Sequence, residues 1–113
     1  MRERLDLWMW MAHRASAFVM APLVLAHMAV MIYAIDEGLS ASEILSRTQG
    51  SMGWAAFYGL FVIAASVHAA AGLRTVAQEH LSCRSKVLDV AALLFALALM
   101  GMGFTAVAGV TLL

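Results

Sequence analysis

The amino-acid sequence lacks the charged side chains that a soluble protein needs for its surface. Charged types make up 12% of the 113 residues and hydrophobic types make up 64%. Soluble domains average about 25% charged and about 45–50% apolar residues. A chain of this length forms one domain at most, and this one has too few polar residues to cover that domain in water. The composition therefore predicts a single domain whose solvent is lipid.

Two further absences exclude classes of function. The formal net charge is zero, which gives no basic field for nucleic acid, and the sequence has no glycine-rich loop for a phosphate. We therefore expect neither nucleic-acid nor nucleotide binding. Cys83 is the only cysteine, so a disulfide or a CxxC metal site cannot form within one chain. Because it lies beside Arg84 in a polar turn, we interpret it as an unpaired surface thiol.

Three apolar segments are long enough to cross a membrane. A hydrocarbon core of about 30 Å needs about 20 helical residues, and residues 15–35, 54–76 and 90–113 meet that length. The first two segments contain polar residues, whereas the third has no charge and is expected to face lipid or pack against its neighbours. The sequence predicts an all-α membrane protein with three transmembrane helices.

Two segments outside the spans predict short helices. Ser40 and Glu43 have the spacing of a capping box and indicate a surface helix between the first and second spans. Residues 2–12 carry apolar side chains at helical spacing, with Trp8 and Trp10 suited to the level of the lipid headgroups. We expect a short interfacial helix at the N-terminal end.

Basic residues are divided unequally between the two sides of the predicted spans. One side carries only Arg47, and the other carries Arg2, Arg4, Arg14, Arg74, Arg84 and Lys86. This bias predicts a cytoplasmic N-terminus. A cleaved signal peptide is the alternative for the first span, but its apolar run exceeds the about 7–15 residues of a signal-peptide core, and two further spans follow.

His68 lies inside the second predicted span, where polar side chains are costly and often functional. Its helical neighbours Ala64, Ala65, Ala71 and Gly72 are all small. Such a groove leaves room for a flat group, and a neutral imidazole is the usual axial ligand of b-type haem iron. The alternative is a histidine that is hydrogen-bonded across a close helix interface. The residues alone leave both interpretations open.

His27 lies inside the first predicted span, nearer its outer end. Its neighbours include Leu23 and Met31, which leave less room, and this spacing favours an interhelical hydrogen bond. His68 lies nearer the cytoplasmic end, so the two histidines are not expected to ligate the same iron. If both bind haem, there are two haems at different depths, and each needs a second histidine from another helix or chain.

The first span begins with a group of hydrogen-bond donors. His13, Arg14 and Ser16 could bind a quinone carbonyl, or they could form an ordinary basic flank. We favour the flank for His13, whereas both interpretations stand for Arg14 and Ser16. Arg74 could extend to the interface or pair with a haem propionate. His80 is expected to be solvated.

Two motifs resemble those of succinate dehydrogenase cytochrome b subunits. His13-Arg14-Ala15-Ser16 is similar to the H-R-x-[ST] segment at the start of their first span. The segment from His68 to Arg74, followed by Glu79, is similar to their H-x-x-x-G-[IL]-R-x-x-x-x-[DE] segment. With three spans of similar layout, the likeness covers nearly the whole chain.

The resemblance implies a membrane anchor subunit of succinate dehydrogenase or fumarate reductase, with no dehydrogenase activity of its own. It implies that His68 ligates haem b, that a quinone binds at Arg14, and that the protein lies in a bacterial inner membrane. The implied partners are a flavoprotein, an iron–sulfur subunit, and a second anchor subunit or second copy. Two-haem members place histidines in their first and second spans, which implies a second haem at His27.

Two differences from the family pattern limit these implications. Trp10 stands where some members have a serine beside the quinone arginine, so the quinone type stays open. Glu79 and His80 stand where the other small anchor of these complexes often has Asp-Tyr, so the type of anchor stays open as well. A haem-free structural anchor and a small transporter or channel subunit are the alternative functions.

Overall fold

A computed structural model describes residues 2–82 and 85–112, although it does not define the side chain of Arg2. The order of elements is α1 (Arg2–Glu37), α2 (Ala41–Thr48), α3 (Met52–His80) and α4 (Lys86–Thr111). Helices α1, α3 and α4 are long and apolar enough to cross a membrane, which confirms the predicted fold class. Our interpretation of Cys83 and the contribution of Arg84 to the charge bias lie outside the described residues.

The N-terminal segment differs from the prediction in one respect. It is helical, but it continues into the first span without a break, so α1 is a single helix of 36 residues. At 1.5 Å per residue this helix is about 54 Å long, well beyond a hydrocarbon core of about 30 Å. No glycine or proline interrupts residues 2–21, which explains why the segment stays joined to the span. Trp8 and Trp10 are exposed on it.

The predicted surface helix is present as α2, and its capping box is formed. The Ser40 hydroxyl accepts from the backbone N–H of Glu43 at 3.2 Å, and the Ser40 N–H donates to the Glu43 carboxylate at 3.0 Å. Hydrogen bonds from Ser40 lower the pKa of Glu43, and the bond from the side chain has a larger effect than the bond from the backbone. Gly38 has a φ of 124°, a left-handed conformation that suits glycine and lets the chain leave α1.

Helix α3 is the central helix, because it packs against both α1 and α4. It carries most of the buried residues, namely Ala64, Ser66, Ala70, Ala71 and Arg74. Small side chains are expected there, since helices in lipid associate through close packing and not through the hydrophobic effect. Helix α2 is fastened to the end of α4, where the Thr48 hydroxyl donates to the Val110 carbonyl at 2.7 Å.

Gly103 marks the closest approach of α4 to α3. A Cβ atom placed on Gly103 would lie 2.5 Å from a methyl carbon of Val62, whereas a Cβ on Gly101 would have no atom within 4 Å beyond its own surroundings in the helix. Val62 is β-branched, so it has little freedom to turn away. The two glycines of the same helix therefore have different structural roles.

We predict that Gly103→Ala destabilises the protein and that Gly101→Ala does not. The first substitution overpacks the α3–α4 contact, at a cost of about 1–3 kcal/mol. The second removes a flexible residue from a helix and is expected to be neutral or stabilising by up to about 1 kcal/mol. Thermal unfolding of the purified complexes measures both effects. Equal midpoints for the two variants would contradict the assignment.

Candidate functional site

The imidazole of His68 lies between α3 and α1, stacked on the ring of His13. The ring centroids are 4.2 Å apart and the planes differ by 14°. Ser16, one turn after His13 on α1, is 6% exposed and completes the group. Residues three apart share one face of a helix, so α1 presents His13 and Ser16 together to α3.

The hydrogen-bonding contacts of this group favour one tautomer of His68. The Ser16 hydroxyl donates its one proton to the His13 carbonyl at 2.7 Å. Nδ1 of His68 lies 3.2 Å from that hydroxyl oxygen and 3.4 Å from the same carbonyl. A hydroxyl that has given its proton away, and a carbonyl, can only accept. In the neutral ring, the arrangement that satisfies all three groups has the hydrogen on Nδ1 and the lone pair on Nε2.

The position of His13 contradicts one expectation and explains why residue 72 is a glycine. The expectation that His13 is an ordinary basic flank is wrong, because its ring packs inward on α3. A Cβ atom on Gly72 would lie 3.1 Å from Nε2 of His13. Close packing against α1 thus accounts for the glycine, and the groove predicted there is filled by the His13 ring.

A second side of His68 faces an apolar groove of about 420 Å³ along α1. The α1 residues that line it are Ala17, Met20, Ala21, Val24 and Leu25. Most of these side chains are exposed in the single chain, so α1 and α3 supply one wall of the groove and leave the opposite side open. A flat apolar molecule can reach His68 from this side.

Arg14 does not join the group at His68. Its guanidinium lies over the ring of Trp10, 5.4 Å from the ring centre, and both side chains are exposed. The structure thus separates Arg14 from His13 and Ser16, which we had grouped as donors to a quinone. This separation is predictable from the sequence, because consecutive residues point about 100° apart around a helix.

His27 meets aromatic rings of α3. It contacts Tyr58 and Phe61 edge to face, with ring centroids 5.8 and 5.5 Å apart. Its Nδ1 is buried and has no hydrogen-bond partner among the described residues. We favoured an interhelical hydrogen bond for His27, and none is formed at this nitrogen.

Two cavities adjoin His27. One of about 650 Å³ lies toward α2 and includes Arg47 and Tyr33 in its lining. The other, of about 450 Å³, lies toward α4 and reaches Gly103. Both volumes fall in the range of about 300–1,000 Å³ that is typical of small-molecule sites. The role of α2 in enclosing the first cavity was not apparent in the sequence.

The two imidazoles lie at different levels. His27 contacts Phe61, and His68 follows Phe61 by seven residues, or about 10 Å along the helix axis. Among residues 2–82 and 85–112, no group of three histidine, cysteine or acidic side chains could hold a metal ion.

Arg74 is buried, with 3% of its side chain exposed, and joins three helices. Its Nη2 donates to Asp6 of α1, and its Nε donates to Asp89 of α4, both at 2.8 Å. The guanidinium is thus paired inside the bundle. Pairing of Arg74 with a haem propionate stays a prediction. Neither aspartate was singled out in the sequence, because their meeting depends on how the helices pack.

The remaining polar residues of the second motif are on the surface. Glu79 and His80 are both exposed at the end of α3, which confirms the expectation for His80. Nδ1 of His80 lies 3.2 Å from the carbonyl of Val76, one turn earlier in its own helix.

The fold and the site together define a three-span helical membrane protein with His68 beside one apolar groove and His27 beside two cavities. A family model described as the succinate dehydrogenase/fumarate reductase transmembrane subunit matches residues 1–110. The chain therefore belongs to that family. No curated protein and no solved structure gives a significant match to the sequence.

We predict that Arg74→Met destabilises the protein, because it leaves two carboxylates without their shared cation at a helix junction. Loss of one partner from a fully buried pair costs about 3–5 kcal/mol. Here we expect less, since the aspartate side chains are 31% and 21% exposed. Thermal unfolding of the complex in lipid measures the loss.

Arg4→Met is the matched control for this prediction, since Arg4 is exposed near the start of the same bundle. It removes the same charge without breaking a buried ion pair, and we expect it to leave the unfolding midpoint unchanged. An equal midpoint for the two variants would show that the Arg74 ion pairs contribute no stability.

Proposed function

We propose that this chain is a haem b-binding anchor subunit of a succinate:quinone oxidoreductase that helps to form its quinone site. Membership of the family supplies the complex. The observation that carries the haem assignment is the contact of His68 Nδ1 with the Ser16 hydroxyl and the His13 carbonyl, which favours hydrogen on Nδ1 and leaves Nε2 of the neutral ring with a lone pair. Metal-bound histidines commonly donate their second nitrogen to a carbonyl or similar acceptor, as His68 does here.

The residues around His68 fit a haem. The groove beside it is apolar and formed by small and flexible side chains of α1, which suits the face of a porphyrin. Its open side leaves room for a partner chain, and we assign the second axial ligand to that partner, either a second anchor subunit or a second copy. Bound there, haem b supplies a one-electron carrier.

His27 is proposed as a ligand of a second haem. Its buried Nδ1 lacks a partner and its ring adjoins the two cavities. An unsatisfied polar atom in an apolar environment costs free energy, which a ligand or a partner chain would recover. Tyr58 and Phe61 hold the ring in place from α3.

The quinone is proposed to bind on the exposed side of Arg14. The guanidinium can donate to a quinone carbonyl, and Trp10 offers it an aromatic support. Arg14 follows His13 directly in the sequence, so this side of α1 lies at the level of His68. Ser16 and His13 face α3 instead, and they are left out of the quinone assignment.

The anchor itself would hold the soluble subunits at the membrane and orient the haem and the quinone. A flavoprotein subunit would exchange electrons with succinate or fumarate, and an iron–sulfur subunit would pass them to or from the quinone. We place these subunits on the side of the N-terminus, which the basic residues favour as cytoplasmic. The membrane would be a bacterial inner membrane.

We predict that His68→Ala removes one haem from the purified complex. The substitution deletes the iron ligand and leaves the ion pairs of Arg74 in place. Pyridine haemochrome measures the haem content, and reduced-minus-oxidised spectra identify the lost species. His80→Ala, an exposed histidine of the same helix, serves as the control and is expected to keep all haem. An unchanged spectrum of His68→Ala would favour the haem-free structural anchor.

We predict that the wild-type complex contains two haems and that His27→Ala retains one. The same haemochrome measurement tests this, with absorbance at two potentials used to separate the centres. A content of one haem in the wild-type complex would remove His27 as a ligand while leaving the assignment of His68 intact.

A further inference from the structure

We infer that Ser16 and His13 are positioning residues that fix the tautomer and the ring plane of His68, and that Ser16 thereby lowers the potential of the haem. The inference rests on the proposed haem at His68. It gives Ser16 and His13 a role other than the quinone binding that the sequence left open for them.

Ser16 has no free proton for a quinone. Its hydroxyl lies 2.7 Å from the His13 carbonyl, three residues earlier in the same helix. That distance is typical of a well-formed hydroxyl hydrogen bond, whereas the contact with His68 Nδ1 is longer, at 3.2 Å. With its proton on the His13 carbonyl, the oxygen can accept from His68, and the residue is 6% exposed. A quinone in the lipid has no access to this oxygen.

The hydroxyl and the carbonyl act together on one nitrogen. Both lie on the Nδ1 side of His68, and both can accept there. In the tautomer with hydrogen on Nε2, the Ser16 hydroxyl would have to turn away from the His13 carbonyl to donate to Nδ1, and that carbonyl would face the lone pair of Nδ1. Histidine exchanges between the two forms easily in water, whereas here the surroundings select the one that binds iron.

The ring of His13 limits the rotation of the ligand. It lies nearly parallel to His68 and fills the space over Gly72, with a separation of 4.2 Å between ring centroids. Rotation of the His68 ring about its Cβ–Cγ bond would drive it into the neighbouring ring. The plane of the imidazole relative to the haem is therefore set by α1, before a partner chain contributes anything.

A hydrogen bond donated by Nδ1 makes Nε2 a stronger donor to iron. Partners of this kind raise the basicity of metal-bound histidines. A more basic ligand stabilises ferric over ferrous iron, which lowers the midpoint potential. Loss of the Ser16 hydroxyl is therefore expected to raise the potential without removing the haem, because the His13 carbonyl remains.

The experiment compares Ser16→Ala, Ser16→Thr and the wild type in the purified complex. Threonine keeps the hydroxyl and serves as the conservative rescue. Thr105→Ala is the matched control, because the Thr105 hydroxyl also donates to a carbonyl of its own helix, at 2.7 Å, but is exposed on α4. Redox titration of the haem absorbance gives the midpoint potential, and the g-values of the ferric haem report the ligand plane.

We expect Ser16→Ala to bind haem at wild-type content with a raised midpoint potential, and Ser16→Thr and Thr105→Ala to match the wild type. His13→Ala, which removes the stacked ring, is expected to change the g-values. A wild-type potential in Ser16→Ala would overturn the inference, and so would a raised KM for quinone at unchanged potential. Absence of haem at His68 in the wild-type complex would instead refute the proposed function.

Discussion

The need to satisfy polar groups inside hydrocarbon governs this structure. Lipid offers no hydrogen bonds, so each buried donor and acceptor must find a partner within the protein. At the contact of α1 with α3, the hydroxyl of Ser16, the carbonyl of His13 and Nδ1 of His68 satisfy one another. Farther along the same contact, Arg74 takes Asp6 as a partner. These polar contacts determine how α1 is rotated against α3, since apolar side chains alone would tolerate many rotations.

The same constraint explains which features the sequence predicted. Span length, mean hydropathy and the capping box at Ser40 are local signals, and they gave three helices and α2 correctly. The partners of Arg74 depend on three helices that are distant in the chain, so no local pattern contains them. The face of α1 on which His13 lies is only partly predictable from the sequence. His13 and His27 are two heptads apart, so they share one face of the helix. That face meets Phe61 and His68, themselves one heptad apart.

Small residues and polar residues have different roles in the packing of helices on α3. At Gly103 and Gly72 the absence of a side chain brings α4 and the His13 ring close to α3. Van der Waals contact is the main attraction available between helices in lipid. The close approach also brings the hydroxyl of Ser16 within reach of His68. A bulkier residue at position 72 would thus disturb the imidazole without touching it, because His13 lies between them.

Among the described residues, two buried side-chain nitrogens have no hydrogen-bond partner, Nδ1 of His27 and Nε2 of Gln78. The His27 nitrogen adjoins two cavities, and His68, whose Nδ1 contacts favour a lone pair on Nε2, lines an open apolar groove. Native proteins leave few such groups, so each one needs a physical explanation. Both histidines lie where α1 and α3 pack together. A ligand held jointly with another chain would satisfy one nitrogen of each histidine, and binding of the cofactor would then be coupled to assembly of the anchor.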